Sequence, residues 1–330
     1  METVQHALQR FGPGRCDALG LADARRYCLE LTHAHSENFS VLSALVPAER
    51  VDDFAAVYAF CRWADDLSDE SGSPERALEL LGWWRQELAA CVAGQPRHPV
   101  FVALRPVMER ASLPAEPFER LIEAFEWDQR SNRWATWEEL LRYCRGSADP
   151  VGRLVLMVLG ESRDESVMTL SDRTCTALQL TNHWQDVRRD LLERNRIYVP
   201  RELTASIPDF EARLLITARQ GWAPDREFLA AWRPVLRECV ERTWRLFDEG
   251  DALLDHLSPA ARPVVWLFGA GGRHVLRSVE RWGFETCLAR PRLTKARKAL
   301  LVARAWWMAR RRAAAPAAGA ALPARHEAAA

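Results

Sequence analysis

Apolar residues recur along this chain at helical spacing, as in Phe54, Val57, Tyr58 and Cys61 or Leu154, Met157 and Val158, while period-two alternation is nearly absent. The pattern predicts an all-α bundle. Glycine or proline interrupts it at Ser71-Gly72-Ser73-Pro74, Gly94-Gln95-Pro96, Leu113-Pro114, Gly160, Ile207-Pro208, Trp222-Ala223-Pro224, Ser258-Pro259 and Arg290-Pro291, where helices should stop. Roughly ten helices joined by short loops follow from those breaks. Nothing between Leu21 and Arg290 reads as a flexible linker, and no internal repeat of roughly 20–50 residues is present. Residues 1–290 are therefore expected to form one domain.

Residues 291–330 differ in kind. From Thr286 to Arg325 there is no acidic residue, while Arg290, Arg292, Lys295, Arg297, Lys298, Arg304 and the Arg310-Arg311-Arg312 run accompany Leu300, Leu301, Trp306 and Trp307. A basic amphipathic helix of this kind suits an anionic membrane surface. A solvated helix followed by a disordered Ala/Pro-rich tail, Ala313 to Ala330, is an equally good account.

Composition narrows the function classes. The chain has 330 residues, 48% of them hydrophobic, enough for a sizeable core. Lysine plus arginine and aspartate plus glutamate each total 45, so no strongly basic body is available to attract nucleic acid. The eight cysteines contain no CxxC pair and read as reduced thiols of a cytoplasmic protein. Met1 to Arg15 lacks the apolar stretch of a secretory signal. No segment approaches the roughly 18 uncharged apolar residues of a spanning helix, so any membrane contact would be peripheral, at the inner face.

Two acidic segments carry the chemistry. Asp65 and Asp69 stand i,i+4 in the run Arg62-Trp63-Ala64-Asp65-Asp66-Leu67-Ser68-Asp69-Glu70, which puts both carboxylates on one helix face. The arrangement recurs as Gln179-Leu180-Thr181-Asn182-His183-Trp184-Gln185-Asp186-Val187-Arg188-Arg189-Asp190, where Gln179, Asn182, Asp186 and Asp190 share a face. One such motif alone is ordinarily a solvated face with i,i+4 arginine pairs. Two of them, each in an apolar helix, imply carboxylates that point inward, where an unpaired charge is costly. Magnesium takes hard oxygen ligands and bridges one or two carboxylates to substrate phosphates. Paired Asp-rich helices therefore point to a diphosphate, with Arg62 as a phosphate-binding fork.

With their neighbours, these residues resemble the squalene/phytoene synthase family, from about His35 to Lys298. His35-Ser36-Glu37-Asn38-Phe39-Ser40 is similar to the family's N-terminal substrate-binding segment. Tyr58-Ala59-Phe60-Cys61-Arg62 leads into the first DxxxD, and Asn182, Asp186 and Asp190 form the second motif, NxxxDxxxD. Arg194-Asn195-Arg196-Ile197-Tyr198-Val199-Pro200 is similar to the arginine-tyrosine loop that closes over the diphosphate.

The resemblance implies an isoprenoid-synthase helical bundle with a central apolar cavity and a magnesium cluster on Asp65, Asp69, Asn182, Asp186 and Asp190. It also implies diphosphate contacts from Ser36, Arg62, Gln179, Asn182, Arg196 and Tyr198, the four aspartates being the catalytic set. For Ser36 and Gln179 a helix cap or a core hydrogen bond serves equally well.

Within the family, Asn182-His183-Trp184-Gln185-Asp186 and Tyr143-Cys144-Arg145-Gly146-Ser147-Ala148-Asp149-Pro150-Val151-Gly152 look like the hydroxysqualene synthases of bacterial hopanoid pathways. Condensing members commonly carry tyrosine where Gly146 stands and arginine where Gln185 stands. The expected reaction is magnesium-assisted ionisation of presqualene diphosphate followed by capture of the cation by water. Phe39, Tyr58, Phe60 and Trp184 are candidate cavity aromatics, although core packing is the default for each in a chain with 14 tryptophans. His183 and Asp149 are polar residues of the subtype segments, with structural hydrogen bonds as their default. Two alternatives stay open: a head-to-head condensing synthase acting on two prenyl diphosphates, and a non-catalytic assembly factor that keeps the fold. Oligomeric state is not legible.

Overall fold

The computed structural model describes residues 4–15, 19–35, 45–221, 225–292 and 294–313. Its described residues form sixteen α-helices and no strand: α1 (Val4–Phe11), α2 (Leu21–His35), α3 (Val51–Asp69), α4 (Pro74–Val92), α5 (Pro99–Arg110), α6 (Glu116–Arg130), α7 (Trp137–Ser147), α8 (Asp149–Leu159), α9 (Glu165–Gln185), α10 (Val187–Arg194), α11 (Arg201–Thr204), α12 (Phe210–Gln220), α13 (Arg226–Gly250), α14 (Leu253–His256), α15 (Arg262–Arg281) and α16 (Lys295–Ala313).

The helix ends follow from local chemistry. Ser73 caps α4 by accepting from the Arg76 amide at 3.2 Å, with Pro74 in the first turn. Asp225 caps α13 through the Phe228 amide at 2.9 Å. Gly160 closes α8 with φ 77°, a left-handed conformation that costs glycine little.

More helices form than the glycine and proline punctuation predicts, because seven of the fifteen junctions between the described helices fall elsewhere, two of them beside the motif segments. At Ala148 the chain turns between α7 and α8, and Pro150, which has no amide hydrogen to continue α7, sits in the first turn of α8. At Asp186 the long α9 gives way to α10. The predicted break at Trp222-Ala223-Pro224 lies outside the described residues.

Two apolar cores hold the bundle. The first surrounds α3, where Phe60 meets Phe101 and Phe118 edge to face and Trp63 stacks on Trp84, and α3 packs against α2, α4, α5 and α6. The second surrounds α9, with Trp134, Trp184, Phe228 and Trp232 buried, and α9 packs against α8, α13 and α15. Each acidic motif thus rides on a helix wrapped by others, so its carboxylates stand among protein groups rather than on an outer face. The C-terminal α16 lies along α15, with Leu301 buried, Ala305 buried in the first core, and Leu300, Trp306 and Trp307 exposed.

Candidate active site

The first motif is built on the last turns of α3. The Arg62 guanidinium lies against Asp66, with Nε 3.0 Å from a carboxylate oxygen, and reaches Asp65 at 3.4 Å and Glu70 at 3.7 Å. Burial raises the Asp66 carboxyl to about 7 despite that pairing. Asp65 keeps 42% of its side chain exposed. The surrounding protein, and then the charge of Asp69, still push its carboxyl above the usual range. Two carboxylates one turn apart therefore strain toward a cation.

The second motif straddles the α9/α10 junction. Asp186 has φ −103° and ψ 13°, outside the helix, yet the ladder runs through it: its amide donates to the Asn182 carbonyl and the Asp190 amide donates to the Asp186 carbonyl, both at 2.9 Å. Asn182 is exposed, whereas Thr181, His183, Trp184 and Gln185 around it are buried. Asp186 is held by Arg189 at 2.9 Å and by Arg290, whose second contact is 3.1 Å. Asp190 contacts Arg189 at 3.1 Å, and burial followed by the charge of Asp186 raises its carboxyl.

The two motifs meet through the loop after α10. Asn195 adopts φ 52° and reverses the chain, so Arg194 and Arg196 both reach back to Asp69 across the bundle, at 2.7 and 3.2 Å. Arg133 braces this turn by donating to the Asn195 carbonyl at 2.6 Å. Arg196 is buried and also faces Asp128 at 3.6 Å, and Asp128 accepts the Tyr143 hydroxyl at 2.9 Å. Burial lifts the Asp128 carboxyl to about 7. Tyr198 lies under this network, stacked on His183 with ring centroids 3.5 Å apart and on Trp134 at 4.6 Å.

Of the residues singled out in the sequence, Asp69, Asp190 and Arg196 come together directly, joined by Arg194, with Asp65 on the same helix as Asp69 and Asp186 one turn before Asp190. Gln179 is half-buried on α9, one turn before Asn182 and His183. Ser36 and Phe39 lie outside the described residues. Phe60 and Trp184 are fully buried in the two cores, with the Trp184 indole donating to Thr243 at 2.8 Å, so core packing accounts for both; Tyr58 remains half-exposed one turn before Arg62. Asp149 accepts the Thr176 hydroxyl at 2.7 Å, a structural hydrogen bond, and burial pulls the His183 imidazole down to about 3.

Asp128, Arg189, Arg194 and Arg290 were not in the sequence-derived set. Two of them left a signal: Arg194 opens the segment similar to the arginine-tyrosine loop, and Asp128 continues the Leu121, Phe125 stripe of α6 at helical spacing, a charge on an apolar face.

The donor set fits magnesium. Among the described residues no three acidic or histidine side chains form a ready cage for an ion. Magnesium does not need one, because it keeps waters and joins one or two carboxylates to substrate phosphates. Crowded carboxylates with raised pKa, hard oxygens and nearby guanidiniums provide that setting.

The squalene/phytoene synthase family model matches residues 32–298. The hydroxysqualene synthase of Rhodopseudomonas palustris is 37% identical over 273 residues, covering 74% of this chain and 91% of that protein. The phytoene synthase of Arthrospira platensis is 30% identical over 272 residues, covering 79% and 85%. Among solved structures, squalene synthase HpnC from Alicyclobacillus acidocaldarius superposes with a TM-score of 0.67 at 41% identity, covering 80% of this chain and 95% of that one. A dehydrosqualene synthase at 21% identity has the same fold, with a TM-score of 0.72. Spanning both acidic motifs and the loop that joins them, this match establishes that the chain belongs to the squalene/phytoene synthase family and is an isoprenoid synthase enzyme.

Proposed function

We propose that this synthase ionises presqualene diphosphate and captures the cation with water, giving hydroxysqualene and diphosphate. The observation that carries the reading is the convergence of Asp69 with Arg196 and, through Arg194, with Asp190, which builds a diphosphate-handling pole from two distant helices. Magnesium, when bound to Asp65, Asp69, Asn182, Asp186 and Asp190, would neutralise the charge developing on the leaving diphosphate. The protein side of the work is positional. Arg196, clamped between Asp69 and Asp128, presents a fixed positive charge, and Arg62 and Tyr58 flank the first motif on α3. The cyclopropylcarbinyl cation left behind needs apolar walls until water adds to carbon and surrenders a proton.

Two local features favour water capture over condensation. Gln185 uses its amide to hold the Pro291 carbonyl at 2.6 Å instead of supplying a guanidinium beside Asp186. Gly146 leaves no phenol at the α6/α7 contact, where an added Cβ would stand 3.4 Å from the Ala124 Cβ. The condensing reading draws on the phytoene synthase similarity, which covers as much of the chain. Incubation with presqualene diphosphate and magnesium, without reduced nicotinamide and with farnesyl diphosphate in a parallel tube, separates them by mass spectrometry. Hydroxysqualene from the first tube alone is expected; consumption of farnesyl diphosphate would move the enzyme to the condensing branch.

In the same reading, residues 1–290 are the synthase domain, 291–330 are an appendage, and the enzyme works in the cytoplasm with α16 resting on anionic lipid. No described helix is long and apolar enough to cross a membrane. Exposed Leu300, Trp306 and Trp307 beside Arg304 and Arg310 suit an interfacial helix. Cosedimentation with anionic liposomes should weaken when Leu300, Trp306 and Trp307 are replaced by serine; unchanged pelleting would remove the lipid contact from the account.

A further inference from the structure

Five guanidiniums, those of Arg62, Arg189, Arg194, Arg196 and Arg290, lie against the four motif carboxylates. A divalent cation joining the same oxygens adds positive charge to a set already balanced by arginine, so at least one guanidinium has to turn away. Which one yields can be read from how each is held.

Arg196 is fixed: its side chain is 9% exposed and is shared between Asp69 and Asp128. Arg290 belongs to a segment also tied down by the Gln185 to Pro291 hydrogen bond. Arg194 differs from Arg196 in its exposure, and from Arg290, whose side chain is 39% exposed, in reaching a carboxylate of each motif. It is the last residue of α10, its side chain is 37% exposed, and its ion pairs are with Asp69 at 2.7 Å and Asp190 at 3.9 Å. Among the described residues it is the cation shared by the two motifs, standing on oxygens that a bridging metal would need. Its guanidinium meets water on one side even though the Asp69 and Asp190 side chains are 10% and 6% exposed, so it can leave toward solvent.

We infer that Arg194 is a displaceable internal cation, which competes with divalent metal for Asp69 and Asp190 and, once displaced, becomes a ligand of the substrate diphosphate. The inference rests on the reading that the motif aspartates take magnesium. It assigns Arg194 two opposite effects. As competitor it weakens binding of magnesium alone; as a mobile fork beside incoming phosphate oxygens it strengthens binding of the magnesium-diphosphate pair. A guanidinium serving only to hold the fold would do neither.

Isothermal titration of the full chain with magnesium alone, and then with inorganic diphosphate at saturating magnesium, reads both effects without turnover; thermal shifts give an independent check. Arg194→Gln should bind magnesium alone roughly two- to fivefold more tightly, the worth of a part-exposed ion pair, and bind diphosphate roughly tenfold more weakly, the worth of a charged hydrogen bond. Arg194→Lys, which keeps the charge but loses the fork, should restore the magnesium competition and only part of the diphosphate affinity. A lower melting temperature with both affinities unchanged, or both moving in the same direction, overturns the inference while leaving the metal reading intact. No response of the wild-type chain to either probe would overturn both.

Discussion

Asp128 offers the sharpest quantitative test of the site's architecture. Its carboxyl is 4% exposed; one oxygen accepts the Tyr143 hydroxyl and stands near Arg196, while the other, Oδ1, is buried with no hydrogen-bond partner. Burial outweighs the pull of Arg196 and lifts the carboxyl from 3.8 to about 7. An acid whose pKa is raised by folding binds more protons in the native than in the unfolded state between those two values. Stability therefore falls as pH rises through that window, and the favourable contribution is complete only below the lower value. A displacement of about three units corresponds to roughly 4 kcal/mol.

Asp128→Asn removes the titration while keeping the shape. Asp66 and Asp149 are also raised to about 7 and contribute the same trend, but they are common to both proteins. The quantity to measure is thus the difference between mutant and wild type in unfolding free energy, from urea midpoints followed by circular dichroism at pH 4.5 to 8. The mutant should gain on the wild type as pH rises, by up to about 3 kcal/mol between roughly pH 4.5 and 8. Parallel curves would mean that Asp128 does not titrate there. A mutant less stable than the wild type by the same amount at every pH would mean that Arg196 holds the carboxylate ionised throughout, with burial the weaker effect.

Asp69→Ala should cut magnesium-dependent diphosphate release roughly a hundredfold or more, measured by phosphate-coupled assay; near-normal release would remove the first motif from the chemistry. Gly146→Tyr has to force a ring past the Ala124 Cβ at 3.4 Å, so it should cost about 1–3 kcal/mol in a denaturant titration and also lower the hydroxylated share of product. Loss of stability with an unchanged product spectrum would sever Gly146 from water capture. Gly272→Ala would bring a Cβ to 2.3 Å from Leu178 Cδ2 and 2.9 Å from Phe247 Cζ, wedging α15 off α9 and α13; a melting temperature within a degree or so of wild type would show that this contact relaxes freely.

Periodicity reported the helical class and about half of the helix junctions because apolar spacing and proline or glycine stops are local properties. It also placed Asp65 with Asp69, and Asn182 with Asp186 and Asp190, since i,i+4 spacing fixes a face wherever the helix lies. The interruption at Asp186 was not legible: the backbone leaves the helix there while the hydrogen-bond ladder, and hence the shared face, persists. The burial of Phe60 and Trp184 depends on which helices surround α3 and α9, which is information held by the whole chain.

What stands opposite each face is a tertiary matter, and here it turned out to be arginine. Arg194 and Arg196 meet Asp69 from the far half of the sequence, and Arg290 meets Asp186 from the segment leading to α16. These acidic faces are matched by guanidiniums of graded exposure, from Arg196 at 9% to Arg194 at 37% and Arg290 at 39%. In the proposed reading the motifs take a dication and a diphosphate. The arginines decide how their entry is balanced, because charge brought by metal and charge brought by substrate must exchange partners with the same small set of protein ions. For that reason the site is better understood as an ion-exchange arrangement between two helices than as a pair of independent carboxylate clusters.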